Sequence, residues 1–372
     1  MKKILFFIAA LSVLISISVL CVSAENEYEL STFKDEVREG LFSAMEDDVV
    51  KALDEIGITD FDFASVYKLS LGEVLSYFTP EIKEKAQSVM KSFIRLFLAL
   101  TLFMVLSTLP VGENEKTFSI LLTALVAVLV LPSLHGIIAP AVSVIKISNA
   151  FIVSYIPVLT LILSFSGNGM SATLFNTSVV GICEVMSFLI SGALVDMVGC
   201  FICVVTAFSM NDSLKASRII ASATRLFNLL ITSSGALLSG VLTVKNVMAV
   251  SVDSMSVRGI RFILSSFVPV IGSSISEAYS SVLGSINLIK GSVVLIGILA
   301  VVIINVPVIA EMLLYYLSFS VLAYFSEISC SESTANIFRM SAAVTRIFLA
   351  LIIFQMFILI ISTGLVLTIR NG

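Results

Sequence analysis

The chain has 372 residues, of which 58% are hydrophobic and 13% are charged, and its formal net charge is -4 at pH 7. Soluble domains carry about 25% charged residues, so this composition excludes an ordinary soluble protein and indicates an integral membrane protein. The five cysteines are an odd number and several lie in apolar runs, so they predict no disulfide framework.

The first 24 residues have the pattern of an export signal. Lys2 and Lys3 precede an apolar run over residues 4–20, and small residues precede Glu25. We therefore predict a signal peptide over residues 1–24. An uncleaved first membrane anchor is the alternative, because the run is about long enough to cross a bilayer. In both cases the following residues are delivered to the outer side of the membrane.

Residues 25–91 are predicted to form a small acidic extracytoplasmic region. This segment contains 16 of the 26 acidic residues of the chain, so it is the one part suited to water. Apolar residues at helical spacing, such as Val37, Leu41 and Met45, predict short amphipathic helices. A region this short makes a marginal core on its own. We expect it to pack on the membrane domain or on a partner.

Residues 92–372 predict an all-α, multi-spanning membrane domain. Apolar runs that approach or exceed one bilayer crossing predict roughly seven to nine spans or re-entrant segments. They cover residues 93–109, 118–138, 150–165, 173–209, 226–244, 292–325 and 347–369. The fourth and sixth runs are about twice the length of one crossing. Each is therefore predicted to be a helical hairpin that turns near Gly192 or within residues 305–307.

One segment inside this domain is rich in small and polar residues. Along a helix, small side chains recur every four residues from Gly272 to Gly284 and form a stripe. Such stripes let membrane helices approach closely, which predicts a packing seam; the alternative is a helix that lines an aqueous path. The candidate residues of this path or packing helix are Pro269, Gly272, Ser276, Glu277, Ser280 and Gly284.

A proline motif recurs along the domain. Val268-Pro-Val-Ile271 reappears at residues 306–309 and, more loosely, at residues 156–159. Proline inside a helix frees the carbonyl four residues earlier, so Pro157 and Pro307 are predicted helix breaks. Broken helices at related positions build the central sites of many transporters. An ordinary proline kink is the alternative.

Three further carboxylates, Glu184, Asp196 and Glu311, lie inside or beside apolar runs. A carboxylate facing lipid is costly, and such residues usually face the protein interior or a water path. They are therefore candidates for ion coupling. Glu184 and Asp196 are twelve residues apart and do not share one helix face.

Motifs for catalysis are missing from the sequence. His135 has no potential metal ligand at suitable spacing, and Cys200 and Cys203 lie in an apolar run, where packing is the simpler role. The sequence contains no Walker loop, no GxSxG motif and no basic aromatic surface for nucleic acid. We therefore expect a protein that is not an enzyme, with no metal, cofactor or nucleic-acid partner.

The order of these parts resembles the stage III sporulation protein AE family of endospore-forming bacteria. The resemblance rests on Ser154-Tyr-Ile-Pro-Val-Leu159 and on the run over residues 245–272, followed by Ser276-Glu-Ala278. It extends over nearly all of the chain after the signal.

The resemblance implies a polytopic subunit of the channel complex that joins the mother cell to the engulfed forespore, located in the outer forespore membrane and needed for late forespore development. Its implied partners are the other proteins of the stage III sporulation A operon, a forespore membrane protein and the lipid bilayer, with self-association into a homo-oligomer as a further option. A non-conducting anchor or scaffold of the complex and an ion-coupled small-solute transporter are the alternatives. No catalytic or cofactor-binding residues are implied.

Overall fold

A computed structural model of the chain describes residues 31–58, 71–107, 115–166, 168–188, 195–209, 216–233, 235–236, 240, 272–329 and 332–368. The chain is all-α, as predicted, and the described residues contain no β-strand. In chain order the helices are α1 (31–44), α2 (Asp47–Glu55), α3 (Leu71–Ser107), α4 (Glu115–Phe165), α5 (Gly169–Phe188), α6 (Val195–Ser209), α7 (216–233), α8 (Gly272–Ser329) and α9 (Glu332–Thr368).

Four of these helices are long and apolar enough to cross a membrane. Within the described residues they cover Gly72–Leu106, Ile120–Phe165, Gly284–Ile328 and Glu332–Gly364, and Val195–Ser209 is a shorter apolar helix. These helices support a membrane protein, but they do not confirm the predicted number of spans. Helix α8 has 58 residues, which at 1.5 Å per residue gives about 87 Å. It therefore extends well beyond a hydrocarbon core of about 30 Å at ordinary tilt.

The prolines do not divide their helices. Pro157 lies inside α4 and Pro307 lies inside α8, and both helices are continuous. The structure thus has no helix break at either proline, and the predicted hairpin at residues 305–307 is wrong. Proline removes a single backbone donor, and tertiary packing in a membrane protein tolerates that local loss.

Two other predicted boundaries, between residues 138 and 150 and at residue 91, are not helix ends in the structure. The runs over residues 118–138 and 150–165 belong to one helix, α4, because the polar residues between them continue the helix. The run over residues 173–209 is divided between two helices, α5 and α6, as a hairpin requires, but its predicted turn at Gly192 lies outside the described residues. Helix α3 runs without interruption across residue 91, so no helix end marks the predicted border between the acidic region and the membrane domain.

Two apolar clusters form the core, and α4, α8 and α9 contribute to both. The hairpin-side cluster lies toward the end of α8 and the start of α9, which follow each other after two residues and pack more extensively than any other described pair. Its fully buried members include Leu100, Val130, Leu134, Ile145, Phe319, Phe338 and Phe348. The cap-side cluster lies toward the other end of these helices and includes Leu41, Leu53, Tyr155, Ile162, Val293, Ile296 and Val366.

Helices α1 and α2 cover the cap-side cluster. The rings of Phe33 and Phe165 have centroids 4.7 Å apart, and a Cβ at Gly40 would lie 2.8 Å from Cγ2 of Val158. The described residues 31–58 of the predicted acidic region thus pack on the apolar helix α4. The acidic side chains of α1, α2 and their junction are exposed: Asp35, Glu36, Glu39, Glu46, Asp47, Asp48, Asp54 and Glu55. We call these two helices the acidic cap.

Candidate functional site: a polar layer between two apolar clusters

Four buried polar side chains lie between the two apolar clusters, and we call them the polar layer. They are Ser148 and Asn149 of α4, Asn305 of α8 and Gln355 of α9, and each is 6% exposed or less. On α4 the layer falls between Ile145 of the hairpin-side cluster and Phe151 of the cap-side cluster. Polar groups at this depth in an apolar helix domain mark a candidate functional site.

Hydrogen bonds connect the layer across helices. Asn305 Nδ2 donates to Ser148 Oγ at 2.9 Å and to the carbonyl oxygen of Val301 at 2.8 Å. The first bond joins α8 to α4. The second stays within α8 and occupies the same amide nitrogen, so this side chain is held on two sides.

The amide of Gln355 extends the network to α9. Its Nε2 donates to Asn149 Oδ1 at 2.8 Å and to the carbonyl oxygen of Ile145 at 3.1 Å. Asn149 Nδ2 in turn donates to the carbonyl oxygen of Cys183 at 3.4 Å, which reaches α5. Side chains of the layer thus tie four helices together, and in a low-dielectric surrounding such bonds specify one arrangement.

Two acceptors of the layer remain open within the protein. The amide oxygens of Asn305 and Gln355 are buried and have no hydrogen-bond partner among the described residues. A buried amide oxygen without a partner is unfavourable by about 1–3 kcal/mol. The layer therefore has unused capacity to accept hydrogen bonds, which an apolar packing layer would lack.

A cavity connects one edge of the layer to the surface. Its volume is about 630 Å³, within the range of ordinary ligand sites. Its lining comprises Lys146, Asn149, Ala150, Val153, Ser154, Val180, Cys183 and Glu184. Asn149 belongs both to this cavity and to the polar layer, so the layer is reached from the space between α4 and α5. The predicted carboxylate Glu184 is exposed here, beside a lysine that is also exposed.

The predicted carboxylate Glu311 lies in an ion pair. Lys85 Nζ donates to Glu311 Oε2 at 2.9 Å, with side-chain exposures of 34% and 13%, respectively. The bond links α3 to α8. The structure therefore gives Glu311 a helix-pairing role as well as its predicted place inside the domain.

The other predicted residues are not brought together with these groups. Asp196 is exposed in the first turn of α6. The segment from Gly272 to Gly284 is helical, but the side chains of Ser276, Glu277 and Ser280 lie outside the described part. Pro269 also lies outside it. An added Cβ at Gly284 would meet no described atom within 4 Å.

Residues with metal or thiol chemistry show no clustering in the described ranges. Those ranges contain no group of three or more His, Cys, Asp or Glu side chains placed to hold a metal ion. His135 is exposed. Cys183 is buried, whereas Cys200 and Cys203 are exposed free thiols.

The sequence did not reveal the residues of the polar layer. In the predicted order of spans, Lys146, Ser148 and Asn149 fall in a connection between two spans, and Asn305 falls in a turn. Their signal was present: an isolated amide in a long apolar run must find a polar partner. Lys290 of α8 is a further buried polar residue that the sequence did not reveal, and it is 4% exposed.

Comparison with known proteins identifies the family. Residues 50–369 match the family described as Stage III sporulation protein AE. The chain is also similar to Stage III sporulation protein AE of Bacillus subtilis (strain 168), with 26% identity over 188 residues. That alignment covers 50% of this chain and 46% of the relative. No solved structure matches the chain. Because the family match extends over most of its length, the chain belongs to the stage III sporulation protein AE family.

Proposed function

We propose that this chain is a membrane-embedded subunit of the complex that links mother cell and forespore, located in the outer forespore membrane and needed for late forespore development. Its family supports a role in sporulation. The observation that carries the membrane-subunit proposal is the division of its surface into apolar stripes and an acidic cap. Each of the two surfaces suits a different neighbour.

The apolar stripes suit contact with lipid. On α3, Ile94, Leu98 and Leu102 are 49%, 61% and 59% exposed, and their spacing of four places them on one helix face. Helix α8 repeats the pattern with Leu313, Leu317 and Val321. Large exposed apolar patches mark membrane or protein contacts.

The acidic cap suits a partner in water. Its apolar face is buried in the cap-side cluster, and its exposed face carries eight carboxylates. Exposed Lys34, Arg38 and Lys51 leave these carboxylates in an excess of five, and a surface of net negative charge favours partners of the opposite sign. The cap thus offers a docking surface for the other proteins of the complex, outside the apolar stripes.

The polar layer favours a conducting subunit over a passive anchor. An anchor needs apolar helices alone, whereas this domain has a hydrogen-bonded polar layer with open acceptors and a cavity that reaches it. In the proposed function, these groups form part of the hydrophilic path of the complex.

Bulky replacement in the cavity between α4 and α5 tests this function. Ala150→Phe would fill the cavity without adding charge, and Ala207→Phe on an exposed face of α6 is the matched control. Each variant would replace the native gene in its spore-forming host. We expect Ala150→Phe to lower spore yield and late forespore reporter expression while the complex still co-purifies, and Ala207→Phe to leave both unchanged. Normal sporulation with Ala150→Phe would favour the anchor.

The predicted path helix is tested separately. Single cysteines from residue 272 to residue 289, in a chain whose native cysteines are serine, would be labelled with a membrane-impermeant thiol reagent. Labelling at every third or fourth position supports a lined path. Uniform protection would assign this helix to packing.

A further inference from the structure

We infer that the space between α7, α8 and α9 is a binding site for the phosphate headgroup of an anionic phospholipid. The cavity is separate from the one beside the polar layer and has a volume of about 520 Å³, within the range of about 300–1,000 Å³ for ligand sites. Its walls come from α7 and from the consecutive helices α8 and α9. It lies beside the hairpin-side cluster.

Three arginines give the cavity its charge. Arg225 lines it from α7, and Arg339 and Arg346 line it from α9, whereas none of its described lining residues is acidic. The two arginines of α9 are seven residues apart, so they lie on one face about 10 Å apart along the helix. Arg225 and Arg346 reach the cavity from different helices, and guanidinium groups suit an anion that carries phosphate oxygens.

Two of these arginines keep their donors available. Arg339 forms an ion pair with Glu327 and donates to Asn336 Oδ1 at 3.4 Å. Arg225 and Arg346 are exposed and form no ion pair or hydrogen bond with any other residue of the described ranges. An exposed arginine in an apolar helix is costly in lipid unless its charge finds a partner.

The rest of the lining leaves room and adds polar contacts. Small side chains such as Ala221, Ser320 and Ala342 line the cavity and leave open the space that larger residues would fill. Tyr316 and Tyr324 also line the cavity from α8. Hydroxyl donors beside guanidinium groups are a common setting for a phosphodiester.

The surroundings favour a lipid over a free phosphate. Leu226, Leu229 and Leu230 of α7 are 49%, 65% and 37% exposed next to Arg225. These side chains provide an apolar surface for acyl chains directly beside the basic cavity. Basic pockets between membrane helices are known to bind anionic headgroups. An amphipathic helix with basic and apolar residues also suits the membrane interface.

Native mass spectrometry of the full chain from nanodiscs tests the site. The nanodiscs would contain equal amounts of phosphatidylglycerol and phosphatidylcholine, and the lipids retained by the released protein would be counted. We expect selective retention of phosphatidylglycerol. The double variant Arg225→Gln/Arg346→Gln should weaken it by about fivefold for each arginine.

Two further variants make the test decisive. Lys91→Gln/Arg95→Gln removes the same charge from exposed positions on α3, outside the cavity lining, and should retain phosphatidylglycerol normally. Ala221→Leu fills the cavity, keeps every arginine and should lower retention. Equal retention by wild type, Arg225→Gln/Arg346→Gln and Ala221→Leu would overturn the site.

A competition arm separates the two sources of phosphate. Inorganic phosphate and soluble glycerophosphoglycerol would be added to the released protein before lipid counting. Retention of phosphatidylglycerol in their presence supports the lipid, because the acyl chains add contacts that the soluble anions lack. Displacement by inorganic phosphate alone would overturn the lipid assignment and indicate a free anion.

Discussion

The cap-side and hairpin-side clusters are built from the same long helices but meet different surroundings. An acidic cap covers the first cluster, whereas exposed leucines and a basic cavity surround the second. The polar layer lies at the change from one to the other. A continuous helix can thus serve two environments, because the side chains it presents change along its length.

The largest effect is expected from crowding the cap-side cluster at Gly297. An added Cβ there would lie 2.6 Å from Cζ and the hydroxyl oxygen of Tyr155. That tyrosine is fully buried and donates to the carbonyl oxygen of Val293 at 2.7 Å, so it has little freedom to move. Gly297→Ala should therefore lower the free energy of unfolding by about 3 kcal/mol, the upper part of the overpacking range. Thermal unfolding in detergent measures the change, and an unaltered midpoint would contradict this close packing.

The next largest effect is expected in the polar layer. Gln355→Leu removes two donated bonds and leaves Asn149 Oδ1 and the Ile145 carbonyl to find other donors. We expect a loss of about 2 kcal/mol. Thr363→Val is the control on the same helix, because that buried hydroxyl bonds only within α9, to Leu359. If Gln355→Leu and Thr363→Val lose the same free energy of unfolding, the layer does not join the two clusters.

A smaller effect is expected at the ion pair between α3 and α8. Lys85→Met should cost about 1 kcal/mol, because the lysine is partly exposed and water screens the pair. A double-mutant cycle with Glu311→Gln measures the coupling between the two side chains. Strictly additive losses would show that the pair contributes nothing to the contact between these helices.

The smallest effect has the opposite sign. Gly284→Ala makes the same change as Gly297→Ala on the same helix, but no described atom lies within 4 Å of the added Cβ. We expect a gain of about 0.5 kcal/mol from helix propensity. Destabilisation at Gly284 would instead support the predicted close helix approach along the small-residue stripe.

Local sequence patterns predicted the features that depend on residues close together along the chain. The spacing of Val37, Leu41 and Met45 predicted an amphipathic helix, and all three are buried against the membrane domain. The family could also be inferred from short motifs, since residues 154–159 and 245–278 lie within the matched range.

Tertiary contacts decided the rest. Ser148 and Asn149 resembled a loop because their partners, Asn305 and Gln355, are more than 150 residues away. A hydropathy index gives an amide side chain the same polarity at every position. It contains no information on whether a distant helix supplies a hydrogen-bond partner for that amide. Pro307 resembled a break for a similar reason, because periodicity does not reveal the packing that holds α8 continuous.

Spin-label accessibility tests the central claim that the apolar stripes face lipid while the acidic cap lies in water. Labels would be attached in membranes at Leu98 and Leu317 of the stripes and at Glu39 and Lys51 of the cap, all of which are exposed. We predict that Leu98 and Leu317 are accessible to oxygen and protected from a water-soluble nickel reagent, with the reverse at Glu39 and Lys51. Equal access of the nickel reagent to all four positions would contradict the account.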